Sequence, residues 1–259
     1  MTLGGAVCTR DCERLDYPWK ECVQSILPVC DSVVLCDSGS TDGTLEAIQE
    51  WIKREPKLLL CHWPWPNPVG DVEFYFRWIN HARQHVPCDY HLQIDADEVV
   101  SEHSYGTIQK LKERSATDRF AVICNRLNFW KSARFLIPPG VCLGHEVIRI
   151  APTNMVLASD GAHAEGTQAP RIAKHANIDI HHFGFLRRPA AYFEKSKLLH
   201  GYFFGSYDKR LMDAESDTAQ GGNWMEAIRD VEWTDRLIPY SGPWPVVAHQ
   251  WLHQHGFEP

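Results

Sequence analysis

The chain has 259 residues, 44% of them hydrophobic and 23% charged, a composition of packed globular proteins that excludes disordered, collagen-like and coiled-coil classes. Lys and Arg number 26 against 33 Asp and Glu, a net charge of −7, which does not suit generic nucleic-acid coating by phosphate neutralisation. The nine cysteines are odd in number, contain no CxxC pair, and several sit in apolar runs such as Val33-Val34-Leu35-Cys36. There a thiol behaves as a small buried hydrophobe, so a reducing compartment is expected and not a disulfide framework. The first residues show no basic segment followed by an apolar one, and no run approaches the roughly 20 apolar residues of a membrane span. The expectation is a cytoplasmic protein without a transmembrane segment.

In chain order, Leu3 to Cys8 reads as a first buried strand and Tyr17 to Leu27 as an amphipathic helix, with Pro18 in its first turn. Ser32 to Cys36 suits a strand buried on both faces. The turn sequence Asp37-Ser38-Gly39-Ser40-Thr41-Asp42-Gly43-Thr44 follows it, with Thr44 as the expected N-cap of a helix over Leu45 to Lys53. Leu58 to Cys61 is a third strand. A loop rich in Trp and Pro (His62 to Pro68) leads to a helix from Glu73 to His85 and a fourth strand, Tyr90 to Ile94, that ends in Asp95-Ala96-Asp97-Glu98. Strands alternating with helices predict right-handed crossovers and a mostly parallel sheet whose ligand lies at the carboxyl ends of its strands. Both acidic motifs fall there.

Beyond Val100 the alternation loosens. A helix is expected over Tyr105 to Ser115, strands over Phe120 to Phe129, Val141 to Ile150 and Ile178 to Phe183, a helix over Pro189 to His200, and an exposed loop over Met212 to Gly222. No linker before that loop divides the chain, so residues 1–259 read as one domain, with 1–100, 101–205 and a C-terminal extension over 206–259 as its successive parts.

Asp95-Ala96-Asp97 at a strand end presents hard oxygen ligands of the kind that bind Mg²⁺ or Mn²⁺ against a diphosphate. Such an ion neutralises charge on a departing phosphate oxygen. In the turn after the second strand, Asp37 and Asp42 can accept hydrogen bonds from a nucleobase or ribose, and Gly39 and Gly43 allow close backbone approach. His249 and His253 share a helical face, but without the glutamate of H-E-x-x-H or a nearby Cys they read as part of an amphipathic terminal helix. Trp63 and Trp65 could stack on a sugar, yet Pro-flanked tryptophans more often cover a core edge.

The run Val33 to Thr44, followed by Leu92-Gln93-Ile94-Asp95-Ala96-Asp97-Glu98, resembles the family 2 glycosyltransferases of the GT-A fold, closest to the branch with bacterial lipopolysaccharide-core glucosyltransferases. That resemblance implies an α/β, Rossmann-like GT-A domain that transfers a sugar from a nucleoside-diphosphate sugar to an acceptor hydroxyl, usually with inversion. It places Thr9 at the nucleotide, within Cys8-Thr9-Arg10-Asp11 where the family commonly has Asn-Glu, and Asp37 at the base. Ser40, Asp42, Arg77, Asp95 and Ala96 complete the nucleotide-sugar set. Asp95 and Asp97 hold Mn²⁺ or Mg²⁺, with His182 of Ile180-His181-His182-Phe183-Gly184 as third ligand, ahead of His181. Val147-Ile148-Arg149-Ile150 resembles the family's Arg-Leu-Phe strand, and Tyr192 to Lys197 its following Tyr and Lys. Glu165, near the family's His-Glu pair, is the first choice for the general base, and Asp160 the second. The acceptor is left open among a glycan, a lipid-linked sugar, a protein side chain and a modified nucleobase. A nucleotidyltransferase of nucleotide-sugar synthesis and a non-catalytic nucleotide- or sugar-binding module are the competing readings. The first of these lacks a long Gly-rich phosphate loop with a basic residue after the first strand.

Overall fold

Apolar runs of Val, Leu, Ile and Cys form the strands of the first half. They are β1 (Leu3–Thr9), β2 (Ser32–Asp37), β3 (Leu58–His62) and β4 (Tyr90–Asp95), joined by helices α1 (Trp19–Ile26), α2 (Thr44–Ile52) and α3 (Val72–Gln84). The computed structural model describes residues 1–65, 70–140, 144–155, 173–204, 209–220 and 236–257. The chain continues through β5 (Glu98–Val100), a 3-10 turn, α4 (Tyr105–Lys112), β6 (Ala121–Asn128), β7 (Phe135–Leu136), β8 (Glu146–Pro152) and β9 (Ala173–His182). It ends with α5 (Pro189–Phe204), α6 (Lys209–Ala219), β10 (Ile238–Pro239) and α7 (His249–Gln254). No helix among the described residues is long and apolar enough to cross a membrane.

Eight strands form one sheet in the order β3-β2-β1-β4-β8-β6-β9-β5. The first four are mutually parallel, as the alternation predicts. Beyond β4 the sheet is mixed: β8 runs antiparallel to β4 and β6, β9 is parallel to β6, and β5 is antiparallel to β9. The result is an α/β domain on one helix-flanked sheet. Only Ala96 and Asp97 separate β4 from β5, although three strands lie between them in the sheet order. Four flat inter-strand steps would span roughly 19 Å, whereas three residue steps reach about 10 Å. The sheet must therefore curl, carrying β9 and β5 round to the carboxyl end of β4.

Alternate residues of the parallel strands face two helical layers. Leu3, Val7, Val33 and Leu35 pack with Trp19, Cys22, Val23 and Ile26 of α1. On the opposite face Ala6, Val34, Cys36 and Cys61 pack with Trp78 and Ala82 of α3 and with Val86. Glycine in β1 permits this closeness: a Cβ on Gly5 would lie 2.6 Å from Ile26 Cδ1 and 3.1 Å from both γ carbons of Val33.

Several sequence expectations change. Thr44 is the first helical residue and not the N-cap of α2; that position belongs to Gly43 at φ 98°. The cap role falls to the side chain of Asp42, which accepts from the Thr44 amide at 3.0 Å and hydroxyl at 2.6 Å. The predicted loop from Met212 is largely α6, where Ala214 is buried, Thr218 bonds back to the Ala214 carbonyl and Lys197 of α5 pairs with Glu215. The strand expected at Val141 starts at Glu146, with residues 141–143 outside the described residues. The terminal helix is amphipathic as expected: Trp251 and Leu252 are buried, while His249 and His253 are exposed.

Gly5→Val should destabilise the fold by about 1–3 kcal/mol through overpacking. Urea denaturation measures this, and an unchanged midpoint would contradict the close α1–β1 contact.

Candidate active site

Asp95 closes β4, and its carboxylate is fully engaged on the inner side of the sheet. Oδ1 accepts from Tyr75 Oη at 3.1 Å and Gln93 Nε2 at 2.9 Å, and Oδ2 accepts from Arg149 Nη2 at 2.9 Å. Arg149, on β8 next to β4, also donates to Gln93 Oε1 at 2.7 Å and to Glu98 Oε1 at 2.5 Å. Burial works against its charge, but Glu98 and Asp95 outweigh that and raise its pKa further. Arg126 of β6 pairs with the same Glu98 oxygen at 3.0 Å. One guanidinium thus ties β8 to both ends of the acidic turn.

Asp97 is buried at the centre of a second cluster. Its Oδ2 accepts from Lys195 Nζ of α5 at 2.9 Å and from Arg187 Nη2 at 3.1 Å. Burial opposes ionisation here, and the neighbouring Lys195 and Arg187 overcome it, holding the carboxyl well below the usual range. Arg187 is itself fully buried, donates to the carbonyl of Leu15 at 2.9 Å and lies 4.2 Å over the Tyr17 ring.

His182 reaches Asp97 through strand register. Because β5 pairs antiparallel with β9, Glu98 stands opposite His182, and Nε2 of the imidazole lies 3.6 Å from Asp97 Oδ1. Burial pushes the imidazole well below its ordinary pKa, so the ring is neutral. Its Nδ1 lies 2.9 Å from Asn128 Oδ1. An amide oxygen only accepts, so the proton sits on Nδ1 and the Nε2 lone pair faces a carboxylate. Two acceptors side by side on the cavity wall are a donor pair that a cation can bridge. The space beside them depends on Gly184, where a Cβ would fall 2.3 Å from His182 Nε2 and 3.2 Å from Asp97 Oδ2. A divalent ion fits this nitrogen and oxygen donor set.

The turn after β2 holds its acidic residues in hydrogen bonds of its own. Asp37 is fully buried; Oδ1 accepts from the amides of Gly39 and Ser40, both at 2.9 Å, and Oδ2 from Ser40 Oγ at 2.5 Å and Thr9 Oγ1 at 3.2 Å. Asp42 is held by Thr44 and by the Arg14 amide at 2.7 Å. Thr9, Asp37, Ser40 and Asp42 therefore lace the Cys8-to-Arg14 loop to the turn. Their product is the pose of Arg10, whose guanidinium donates to the Ser38 carbonyl and lies 4.2 Å over the Trp65 ring.

These elements enclose a cavity of about 720 Å³, lined by Asp95, Ala96, Asp97 and His182 together with the cations Arg10, Arg126 and Lys195 and the rings of Tyr17, Trp65, Tyr75, Trp78, Phe185 and Tyr192. Thr9, Asp37, Ser40 and Asp42 do not line it. Neither does Arg77, which turns to the surface and pairs with Asp71 at 2.6 Å. Trp63 packs on Phe74 and His81 at the core edge, whereas Trp65 reaches the cavity. His181 points away, its Nε2 3.0 Å from Tyr240 Oη. Glu165 and Asp160 lie outside the described residues. Among those described, the lining carboxylates are Asp95 and Asp97, each already held by cations.

Arg149, Arg187, Lys195 and Arg10 were not assigned from sequence. The motif resemblance ran from Tyr192 to Lys197, but Lys197 pairs with Glu215 at 2.6 Å while Lys195 turns to Asp97. Helical position was the available signal: residues 195 and 197 project about 200° apart, so only one can face the sheet.

No protein-family model and no curated protein matches the chain. Among solved structures it is similar to TarS 1–349 from S. aureus, at 11% identity over 90% of this chain and 74% of that one, TM-score 0.45. TarS 1–349 in complex with UDP-GlcNAc gives 13% identity, coverage of 91% and 78%, and TM-score 0.44. The mannosyltransferase PcManGT from Pyrobaculum calidifontis, in complex with GDP-Man and Mn²⁺, gives 18% identity, coverage of 97% and 68%, and TM-score 0.46. Likeness of this degree assigns no activity, and the residues of the site carry that question.

Burial pulls the Lys195 ammonium down, the Arg187 charge adds to it, and Asp97 only partly opposes them, leaving a pKa of about 8. The positive charge is present below that pH and lost above it. Affinity of the cavity for pyrophosphate should therefore fall as pH rises from 7 to 9, by roughly tenfold, the worth of one hydrogen bond to a charged group. In Lys195→Arg the charge persists and the fall disappears. Calorimetric titration at constant ionic strength checks this; an identical pH profile in both proteins would contradict it.

Proposed function

We propose that the protein is a glycosyltransferase that moves a sugar from a nucleoside-diphosphate sugar to an acceptor hydroxyl, in the manner of the family 2 GT-A enzymes its motifs resemble. The observation that carries this reading is the pairing of Asp97 Oδ1 with the lone pair of His182 Nε2 at 3.6 Å. It lies just after a parallel strand, in a cavity lined by three cations and several aromatic rings. An anionic diphosphate matches the cations, a planar base or a sugar ring matches the aromatic wall, and a divalent ion matches the acceptor pair.

In this reading Asp97 and His182 hold Mn²⁺ or Mg²⁺, with Asp95 beside them, and the ion supplies charge neutralisation at the departing diphosphate. Lys195, Arg126 and Arg10 donate to phosphate oxygens and stabilise the charge that develops as the sugar leaves. Arg187 keeps Asp97 ionised and in place. Thr9, Asp37, Ser40 and Asp42 serve the nucleotide by fixing the turn and the Arg10 loop. Glu165, or else Asp160, takes the proton of the acceptor hydroxyl as it attacks the anomeric carbon from the face opposite the leaving group, which gives inversion. Residues 1–100 carry the nucleotide side of the donor site, while residues 101–205 add His182, Arg126 and Lys195 to the diphosphate and carry the acceptor side. The extension over 206–259 includes α7, which packs with Val99 and Phe183 beneath the acidic turn.

Calorimetric titration with a panel of nucleoside diphosphates, with and without Mn²⁺, tests this reading. One of them should bind at least about tenfold more tightly with Mn²⁺. Asp97→Ala should abolish that gain, and Glu165→Gln should keep it while lowering sugar transfer by about 10²–10⁴-fold, the range for a general base. Absence of any metal-dependent nucleoside-diphosphate binding would overturn the proposal, and binding without transfer to any acceptor would mark a binding module.

A further inference from the structure

Three cysteines stand at one register on adjacent parallel strands: Cys8 of β1 is paired with Cys36 of β2, and Cys36 with Cys61 of β3. Alternation turns Cys36 and Cys61 to the α3 face of the sheet, the side away from Asp37 and its turn. There α3 contributes an imidazole, and the ligand atoms of Cys36, Cys61 and His81 all lie within 4.8 Å of one another. Nothing in the proposed transfer reaction uses these groups.

We propose that Cys36, Cys61 and His81 form a binding site for a soft divalent cation of the zinc class, with Cys8 placed to supply a fourth donor. Sulfur and imidazole are the donors Zn²⁺ takes in structural sites. Tetrahedral Zn²⁺ with ordinary bond lengths sets its ligand atoms roughly 3.5–3.8 Å apart, so a cluster whose separations are at most 4.8 Å needs to contract by no more than about 1.3 Å. Two thiolates and a neutral imidazole balance the charge of the ion in a buried setting. A ligating imidazole ordinarily donates its second N–H to a carbonyl or carboxylate, and the His62 carbonyl lies 3.1 Å from His81 Nε2. Trp63, with its ring centroid 4.7 Å from that of His81, shields one side. His81 is half-buried, which leaves a path from solvent to two thiols that are otherwise enclosed. The bound ion would staple three strands to α3 immediately below Thr9 and Asp37, the residues that set the Arg10 loop.

The full chain, reduced and stripped of metal with a chelator, is titrated with Co²⁺. One equivalent should produce a sulfur-to-cobalt charge-transfer band in the near ultraviolet that Zn²⁺ then removes. The Asp97 and His182 pair contains no sulfur and cannot give this band, so the result is independent of the proposed transferase activity. Cys61→Ser and His81→Ala should each weaken Co²⁺ binding by more than the roughly 10–100-fold that loss of an outer partner causes, with folding followed by circular dichroism. Cys88→Ser, a half-buried thiol outside the cluster, should leave the band unchanged. Absence of the band, its survival in both ligand variants, or its loss in Cys88→Ser would overturn the proposal.

Discussion

Two residues, Ala96 and Asp97, join the fourth strand to the fifth, and the shortness of that link governs the molecule. It forces the sheet to curl until β9 and β5 return to the end of β4. The same curl puts Glu98 opposite His182 in register and so places an imidazole from the far edge of the sheet against a carboxylate at its centre. With a longer link the sheet could lie open, and Asp97 and His182 would have no reason to meet.

Bringing Asp95, Asp97 and Glu98 together inside a protein requires compensation, because a buried carboxylate without a partner costs several kcal/mol. The chain supplies four cations from four elements: Arg149 from β8, Arg126 from β6, Arg187 from the loop after β9 and Lys195 from α5. Buried ion pairs of this kind add little net stability, since desolvation offsets their attraction. What they supply is position. Arg149 fixes Asp95 and Glu98 relative to each other, whereas Lys195 and Arg187 keep Asp97 charged. Lys195 and Arg126 also line the cavity, so an arriving anion meets charges already oriented by the acidic turn.

The first half of the fold was legible because its strands are continuous apolar runs punctuated by turn residues, and the acidic motif at the end of Tyr90 to Asp95 stood out against them. His182 was singled out only through the family resemblance of the His-His-Phe-Gly stretch, and strand register sets it beside Asp97. Strand β5 was not legible: three residues, Glu98-Val99-Val100, are too few to show a period, and their partners lie 80 to 84 positions away. Arg187 and Lys195 were hidden for a similar reason, since their value depends on Asp97, a residue about 90 positions earlier. Asp37 stood out as an acidic residue after a strand, but the sequence did not show that its own turn and Thr9 would engage both of its oxygens.

The central claim is that the Asp97 and His182 pair is a divalent-ion site facing a nucleoside diphosphate. Anomalous diffraction from crystals grown with Mn²⁺ and the nucleoside diphosphate that binds best tests it directly. The account predicts one manganese peak in contact with Asp97 and with Nε2 of His182, and the diphosphate beside Lys195 and Arg126. A manganese peak elsewhere, or a diphosphate bound with no metal at this pair, would contradict it.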